Sequence, residues 1–448
     1  MATTFEVKIW EIESRVGKTK TTYRVRWLVA EERFGKTFDG ERLAKAFRSK
    51  LVAAASEGQA FDTREGLPVS MLRAQRSMSF FKCACAYIDM KWPDASPKYR
   101  ASLAESMMIA TIPMLKREYD GDTRVLRKAL KTAFNTKHRD DEQTAEIRHT
   151  LNFVEKASRN TADLEKPDVL RAVLRALALK MDGEEAARNT IRIRRTALGE
   201  LIDYAVVELK TLASNPLDEV KVKKQKFVLH EVDPKSVVNP VQARMLIAAA
   251  PPRLKAFFGA MYYAALRPEE AAQLKIADLT LPESGWGDIH LKGARPEVSG
   301  EWTDSGNPSE EGPLKHRPAD HGRTAPSPPE LTELLHNHIN TFGTAADGRL
   351  FRGERDGGRL GSTVYGRAWA RCREAVFTAE VAASALGKRP YDLRHAAVST
   401  QLAAGVEPTR VAKWAGHSLA VLLRVYAKCL DGGEQAARDR LTKALGGA

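Results

Sequence analysis

The sequence lacks the features that mark membrane, secreted and disulfide-stabilised proteins. No apolar run approaches the ~18 residues that a membrane-spanning helix needs, and the first residues, MATTFEVKIWEIESR, lack the basic-then-apolar layout of a secretory signal. Of the four cysteines, Cys83 and Cys85 have one residue between them and no second pair follows, which argues against a disulfide framework and a zinc ribbon. We therefore expect reduced thiols, no membrane partner and a cytoplasmic location.

Carboxylate clusters of the kind that hold two catalytic metal ions are also missing, so the sequence does not support metal-dependent nuclease chemistry. What the chain has is positive charge: 71 lysines and arginines against 57 aspartates and glutamates, a formal net charge of +14. Because a protein that contacts many phosphates gains by releasing condensed counterions, this excess is typical of a protein with a polyanionic partner. By itself the charge is equally compatible with solvated surface lysines and arginines.

The N-terminal residues 1–65 are predicted to form a small β-rich module. FEVKIWEI and TYRVRWLV alternate apolar and polar residues, as half-buried strands do. A third short strand around residues 36–38 and an amphipathic helix over residues 41–55 complete it, with Leu43, Ala46, Phe47 and Leu51 on one helix face. A basic sheet can enter a DNA groove. The candidate DNA-binding residues are Lys8, Lys18, Lys20, Arg24 and Arg26.

Two further domains are predicted after a linker at residues 58–70, where glycine, proline and polar residues interrupt the periodicity. Residues 75–220 have 3.6-residue periodicity and are predicted to form an all-α domain, and residues 234–448 a mainly α-helical domain with a small β-sheet. The fold class is therefore multidomain α+β. The basic segment KVKKQK between these domains is predicted to be an extended strap, and it adds the candidate DNA-binding residues Lys221, Lys223 and Lys224.

Three short segments of the last domain carry candidate chemistry. In AALRPEEAAQL, Arg267 precedes a proline that suits the first turn of a helix, and Glu270 follows three residues later. In RPYDLRHAAVSTQLAAGVEP, Arg394 lies near a helix start, where the helix dipole disfavours a cation unless an anion binds there. In WAGHSLAVLLRVYAKCL, His417 precedes a helix and Tyr426 lies nine residues further on. Each segment alone also has a purely structural interpretation, as a helix cap or a packed aromatic.

Together the three segments resemble the signature of tyrosine recombinases of the phage-integrase type: Arg-x-x-Glu, then Leu-Arg-His near a helix start, then Gly-His-Ser followed nine residues after the histidine by tyrosine. The motifs cover residues from about 235 to 430, and the order of domains resembles the arm-binding, core-binding and catalytic domains of such integrases. The resemblance implies that Arg267 and Arg394 clamp the scissile phosphate, that His417 donates a hydrogen bond to it and that Tyr426 is the nucleophile. It implies a supporting role for Glu270, the carboxylate that orients active-site groups.

Two positions stay open within this resemblance. The family's general acid is a lysine on a β-hairpin, for which Lys315 and Lys292 compete. Lys315 is preferred because the family's lysine usually precedes an Arg-x-x-Pro-like strand, which RTAP provides eight residues further on. Where the family usually has a histidine three residues before the second arginine, this chain has Tyr391. A phenol can contact the phosphate, but with a pKa of about 10 it is not a base at neutral pH.

The resemblance also implies partners. It implies double-stranded DNA attachment sites, a homo-tetramer on the DNA, host- or element-encoded accessory factors and association with the nucleoid, with no cofactor, metal or ATP. The C-terminal pattern EQAARDRLTKAL predicts a helix. The resemblance implies that this helix docks on a neighbouring protomer, and the alternative is that it packs back on its own domain. A type IB topoisomerase and a catalytically silent DNA-binding regulator are the alternative functions, because fold alone does not fix function.

Overall fold

The structure is a computed structural model that describes residues 2–17, 20–218, 232–314, 322–354 and 357–430, with six more residues between 438 and 445. Its contacts divide the chain into two compact units, Met1–Lys223 and Lys224–Ala448. The boundary falls in the predicted strap, which lies outside the described residues, and the division into three domains stays a prediction. Among the described helices, none combines the length and apolar character needed to cross a membrane.

The first unit opens with a four-stranded antiparallel sheet. Its strands are β2 (Val7–Ile9), β3 (Glu13–Val16), β4 (Thr21–Val29) and β5 (Glu32–Phe38), while β1 (Thr3–Thr4) pairs with β6 (Phe61–Asp62). β2 and β3 pair with opposite halves of β4 along one edge, and β5 pairs along the other. The prediction of three strands is wrong, because the polar residues ESRV after FEVKIWEI form a further strand.

Helix α1 (Glu41–Ser56) covers one face of this sheet. Its buried residues are Ala44, Leu51 and Ala54, with Phe47 packed against the core that Val25, Trp27 and Val29 of β4 supply. The predicted helix face was partly wrong: Leu43 is 58% exposed, and the buried stripe follows the spacing of three and four residues that runs through Phe47.

The predicted linker at residues 58–70 is also wrong, because this segment packs on the sheet. Phe61 is fully buried in the core of the module, and the indole N–H of Trp27 donates to the carbonyl of Gly66. Gly66 has a φ of +66°, and a Cβ there would lie 2.3 Å from the Phe34 ring. Only glycine combines this backbone conformation with this close approach, so Gly66 allows the segment to pack against Phe34.

Helices make up the rest of the first unit. They are α2 (Val69–Gln75), α3 (Phe80–Lys91), α4 (Pro97–Thr111), α5 (Thr123–Ala133), α6 (Ala145–Ala157), α7 (Pro167–Ala178) and α8 (Arg188–Val207). The side chains of Ser79, Ser96, Asp122 and Thr144 each accept a hydrogen bond from a backbone N–H of the first turn that follows, which satisfies part of the helix start. The helical character that periodicity predicted for this region agrees with these elements.

The second unit is mainly helical, with two small sheets among the residues that the structure describes. Its helices are α9 (Pro240–Ala248), α10 (Pro252–Tyr263), α11 (Pro268–Gln273), α12 (Pro329–Phe342), α13 (Ser362–Val376), α14 (Ala379–Ala383), α15 (Asp392–Ala403), α16 (Pro408–Ala415) and α17 (Leu419–Leu430). Its strands are β7 (Leu279–Thr280), β8 (Gly287–Leu291), β9 (Gly293–Ala294), β10 (Gly312–Pro313) and β11 (Arg323–Ser327). β8 lies between β7 and β11, and β9 pairs with β10, all antiparallel. The coarse prediction of a mixed α+β fold with small sheets is confirmed.

Candidate functional site

A buried carboxylate gathers arginines from distant parts of the second unit. The backbone N–H of Arg267, the residue before α11, donates to Oε2 of Glu270, and its Nη1 donates to Oε1, both at 2.8 Å. Arg323, the first residue of β11, donates from Nη1 and Nη2 to the same two oxygens at 2.7 and 2.8 Å. Glu270 is 1% exposed, so its carboxylate has exchanged water for two guanidinium groups.

Arg394, in the first turn of α15, is completely buried beside this cluster. Its Nη1 donates to the carbonyl of Ala265 and lies 3.8 Å from Oε2 of Glu270, and its Nη2 donates to the carbonyl of Ala415. The same Nη2 lies 2.8 Å from Nε2 of His417. Because a guanidinium only donates, Nε2 must accept, and a neutral His417 carries its proton on Nδ1.

The turn between α16 and α17 places His417. Gly416 ends α16 with a φ of +66°, and a Cβ there would approach the Arg323 guanidinium to 3.1 Å. The Gly416 carbonyl accepts a hydrogen bond from Nη2 of Arg267 at 3.0 Å. The left-handed glycine that ends the helix therefore also fixes the histidine and one of the arginines.

Tyr426 lies in α17 where the backbone departs from helical geometry, with φ −113° and ψ 17°. The carbonyl of the preceding Val425 accepts a hydrogen bond from the N–H of Val232, a residue outside the helix. The tyrosine is 1% exposed, and its hydroxyl lies 2.8 Å from Nδ1 of His395. Its ring centroid is 5.8 Å from that of His395 and 6.1 Å from that of His417.

The electrostatics of this cluster leave it short of negative charge. Burial would raise the pKa of Glu270, but the charge and hydrogen bonds of Arg323 outweigh it and hold that pKa at about 2. Burial, reinforced by the charge of Arg394, lowers the pKa of His417 to about 3. At neutral pH three guanidinium groups therefore face one carboxylate, and the cluster has a net charge of two positive units.

Two buried donors of the cluster have no hydrogen-bond partner within the described part of the chain: Nε of Arg394 and Nδ1 of His417. Leaving such a group unpaired costs about 1–3 kcal/mol. An oxyanion would satisfy the donors and reduce the excess charge at the same time. The arrangement can thus bind an anion with several acceptor oxygens beside a tyrosine hydroxyl.

The structure brings together five of the predicted site residues: Arg267, Glu270, Arg394, His417 and Tyr426. Tyr391 lies directly before α15, where its ring packs against that of His395 with centroids 5.1 Å apart. Lys292 follows β8 and is exposed. Outside the described residues lie Lys315, Lys18, Lys221, Lys223 and Lys224.

Two members of the cluster were not predicted as site residues. In the sequence, Arg323 is only the start of the strand after the candidate lysine. It lies 53 residues from the carboxylate that it binds, so no local spacing connects the two. The motif Leu-Arg-His contains His395, but the resemblance assigns a role only to its arginine. Buried positions alternate along β11, at Arg323, Ala325 and Ser327, and a buried arginine in such a strand is the signal that points to a charged partner.

A second candidate interface is the open face of the N-terminal sheet. Val25, Trp27 and Val29 of β4 point to α1, so Arg24 and Arg26 point to the other side. The strand register puts three more basic residues on that side, each opposite an outward residue of β4. They are Lys8, Arg15 and Arg33, all exposed. Arg26 is paired with Glu13, and Lys20 with Asp39, so these two cations are partly neutralised.

We expect the free energy of unfolding to fall as the pH is lowered from about 7 towards 4. Burial holds the pKa of His395 at about 4 and that of His417 at about 3, below the ~6.5 of an unfolded chain. Between about pH 6.5 and these lower pKa values the unfolded state binds more protons than the folded state, so acid lowers the free energy of unfolding. Below about pH 4.5, the ordinary pKa of a glutamate, protonation of Glu270 in the unfolded chain lowers that free energy further. Thermal unfolding midpoints measured from pH 8 to pH 4 test this. His417→Gln should show a shallower dependence, and a constant midpoint between pH 7 and pH 5 would contradict buried neutral imidazoles.

Comparisons with known proteins give structural similarity without sequence support. No protein-family model and no curated protein matches the chain. One similar solved structure is the Tn1549 transposon integrase in complex with circular intermediate DNA, with 16% identity, a TM-score of 0.45, and coverage of 68% of this chain and 96% of that one. Another is the XerH site-specific recombinase bound to a palindromic difH substrate, with 13% identity, a TM-score of 0.44, and coverage of 81% and 95%. The XerA recombinase is similar at 17% identity and a TM-score of 0.33, with coverage of 63% and 84%.

Proposed function

We propose that the chain is a tyrosine-type site-specific DNA recombinase, an integrase that cleaves and rejoins DNA through a 3′-phosphotyrosyl link at Tyr426. The observation that carries this proposal is the buried, net-positive cluster with unpaired donors beside a tyrosine hydroxyl. A phosphodiester supplies the negative charge and acceptor oxygens that the cluster lacks, and the hydroxyl supplies the nucleophile. The motifs at Arg267, Arg394, His417 and Tyr426 support the same function.

The proposed roles follow from the atoms that remain available. The resemblance implies that Arg394 contacts the scissile phosphate, and its two Nη groups are engaged with the carbonyls of Ala265 and Ala415. Its Nε and the Nδ1 of His417 have no partner among the described residues, and they are the donors we assign to the phosphate. Arg267, whose side chain is 15% exposed, is the most accessible of the three arginines, and we assign it to the phosphate as well.

The proposed chemistry is reversible strand transfer. The Tyr426 oxygen attacks the phosphorus, the 5′-oxygen leaves, and the covalent link stores the bond energy so that rejoining needs no ATP. A lysine protonates the leaving oxygen. We propose Lys315 for this role, with the exposed Lys292 as the alternative. Because Tyr426 is 1% exposed, DNA binding must first shift part of α17 or its neighbours to admit the phosphate.

An experiment with three assays separates this function from its alternatives. The full-length protein is incubated with a supercoiled plasmid, with two plasmids that carry the DNA flanking its coding region, and with a nicked duplex that traps covalent protein. An integrase recombines the flanking sites and forms the adduct. A type IB topoisomerase relaxes any plasmid without recombining sites, and a silent DNA-binding protein gives neither product.

The proposed partners are two classes of DNA site and further copies of the chain. We propose that the helical region of residues 75–220 binds a core site, that residues 234–448 carry out the strand transfer, and that the N-terminal module of residues 1–65 binds an arm site. Leu441 and Leu445 in the C-terminal segment are 59% and 78% exposed, and an apolar stripe of this kind can dock on a neighbouring protomer in a tetramer. Accessory factors and association with the nucleoid are part of the same proposal.

Charge reversal on the open sheet face should weaken arm-site binding and leave core-site cleavage unchanged. Arg24 and Arg33 share that face, and phosphate contacts make affinity depend on salt. In the full-length chain, Arg24→Glu together with Arg33→Glu should make the slope of log affinity against log salt less steep by about one unit per lost contact. Gel retardation at several salt concentrations measures the slope. Lys50→Glu on the exposed side of α1 is the matched control, and an unchanged slope in the double variant would contradict the arm-binding proposal.

A further inference from the structure

The hydroxyl of Tyr426 has a specific neighbour that the motif comparison left without a role. Nδ1 of His395 lies 2.8 Å from it, within hydrogen-bond distance. His395 directly follows Arg394 in α15, so one turn of helix holds both the arginine that contacts His417 and the histidine that contacts the tyrosine. The position is fixed by a buried helix and does not depend on a loop.

The proposed reaction requires a proton acceptor at this hydroxyl. A phenol with a pKa near 10 is protonated at neutral pH, and it must lose its proton as its oxygen bonds to phosphorus. Guanidinium groups cannot accept a proton, and Tyr391 has no basic atom. His417 accepts from Arg394 through Nε2, which leaves its own proton on Nδ1. Nδ1 of His395 is the basic nitrogen within reach among these residues.

Burial and the neighbouring charges keep the imidazole of His395 neutral at neutral pH, so its Nδ1 has a lone pair that can accept a proton. Burial is the main cause that lowers the pKa of His395 to about 4, and the charges of Arg394 and Arg389 act in the same direction. Asp392 opposes them, but its carboxylate is bound by Nη2 of Arg389 at 3.0 Å. Tyr391, His417 and Tyr426 are the other titratable groups whose rings or charges reach this histidine or its partner tyrosine.

We propose that His395 accepts the proton of the Tyr426 hydroxyl during strand cleavage, an inference that rests on the proposed function. The bond between the tyrosine oxygen and phosphorus forms, the bond between phosphorus and the 5′-oxygen breaks, and the phenolic proton moves to Nδ1. The leaving 5′-oxygen takes its proton from the proposed lysine. During rejoining, the 5′-hydroxyl attacks the phosphotyrosine and gives its proton back to the neutral lysine, while His395 returns its own proton to the phenolate that leaves.

The first test is His395→Asn in the full-length chain. The asparagine side chain keeps a hydrogen-bonding atom near the Nδ1 position but has no basic nitrogen. Single-turnover formation of the covalent adduct on a nicked duplex carrying the flanking DNA should slow by on the order of 10²–10⁴-fold, with DNA affinity unchanged. His336→Asn is the matched control, since His336 is a half-buried histidine of α12 that contacts the Pro282 carbonyl and lies outside the cluster. It should cleave at the parent rate.

A fluorinated tyrosine at position 426 separates proton transfer from mere positioning. Fluorine lowers the phenol pKa, so the nucleophile depends less on a base and the rate loss in His395→Asn should shrink. An equal loss with both tyrosines, or a parent rate in His395→Asn, would overturn the role of His395 while leaving the proposed function standing. A parent protein that forms no adduct would instead overturn the proposed function and this inference with it.

Discussion

Phenylalanine at position 426 should abolish the covalent adduct while DNA binding stays at the parent level. Tyr426→Phe removes one oxygen and keeps the ring that packs between His395 and His417. Because no other group in the proposal supplies the nucleophile, cleavage should fall by on the order of 10⁴-fold or more. Loss of the hydrogen bond, which leaves Nδ1 of His395 without this partner, should cost about 1–3 kcal/mol of stability. A nicked duplex that traps covalent protein measures the effect.

Tyr262→Phe is the matched control for this experiment. Tyr262 lies in α10 of the same unit, is 5% exposed, and its hydroxyl lies 3.4 Å from Oγ1 of Thr400. The chemical change is identical, and it occurs at a buried hydroxyl outside the cluster. Normal adduct formation by Tyr262→Phe with none by Tyr426→Phe assigns the nucleophile. A covalently shifted band with Tyr426→Phe would show that the assignment is wrong.

Arg394→Lys should reduce cleavage by on the order of 10²-fold or more, although it keeps the positive charge. One guanidinium holds the carbonyls of Ala265 and Ala415 and the Nε2 of His417. A lysine has a single nitrogen on a flexible chain and cannot span three acceptors in different directions. The loss should therefore include the orientation of His417 as well as the donor at Nε. Single-turnover cleavage and DNA affinity, measured together, give the two effects separately.

Because Arg394 is completely buried, its replacement also affects folding, and the thermal midpoint of each variant must be measured. Arg267→Lys provides the second test, since that side chain is partly exposed and removal of its fork disturbs the core less. Arg410→Lys is the control, because its side chain is 61% exposed and forms a surface pair with Glu407. Parent cleavage rates in folded Arg394→Lys would contradict the proposed role of the guanidinium.

The site could be predicted from sequence where its residues lie in local structures with their own signals. Arg267 and Glu270 begin a proline-initiated helix, and Arg394 lies in the first turn of another. Gly416 ends a helix directly before His417. In each case the residue types and their spacing along one element carry the resemblance to the recombinase signature, and that resemblance does not depend on how the elements pack.

The errors of prediction arose where packing overrides local pattern. The polar run ESRV became a strand because β4 offered it an unpaired edge, and residues 58–70 were ordered by contacts with Trp27 and Phe34. Leu43 is apolar but faces solvent, because the helix stripe that meets the sheet passes through Ala44 and Leu51. Strand pairing and the choice of a buried helix face depend on a partner that lies elsewhere in the chain.

The resemblance of three short segments to the recombinase signature singled out the tyrosine, the two arginines and the histidine as site residues, and local sequence signals placed the arginines and the histidine near helix ends. Which of their atoms meet depends on how the elements pack. Arg323 reaches Glu270 across 53 residues, and His395 reaches Tyr426 across 31. Burial of the cluster then sets its charge balance, since a carboxylate and an imidazole acquire their shifted pKa values only when water is removed and guanidinium groups lie close. Contacts of this kind depend on how β11, α15 and α17 pack, which no local spacing specifies.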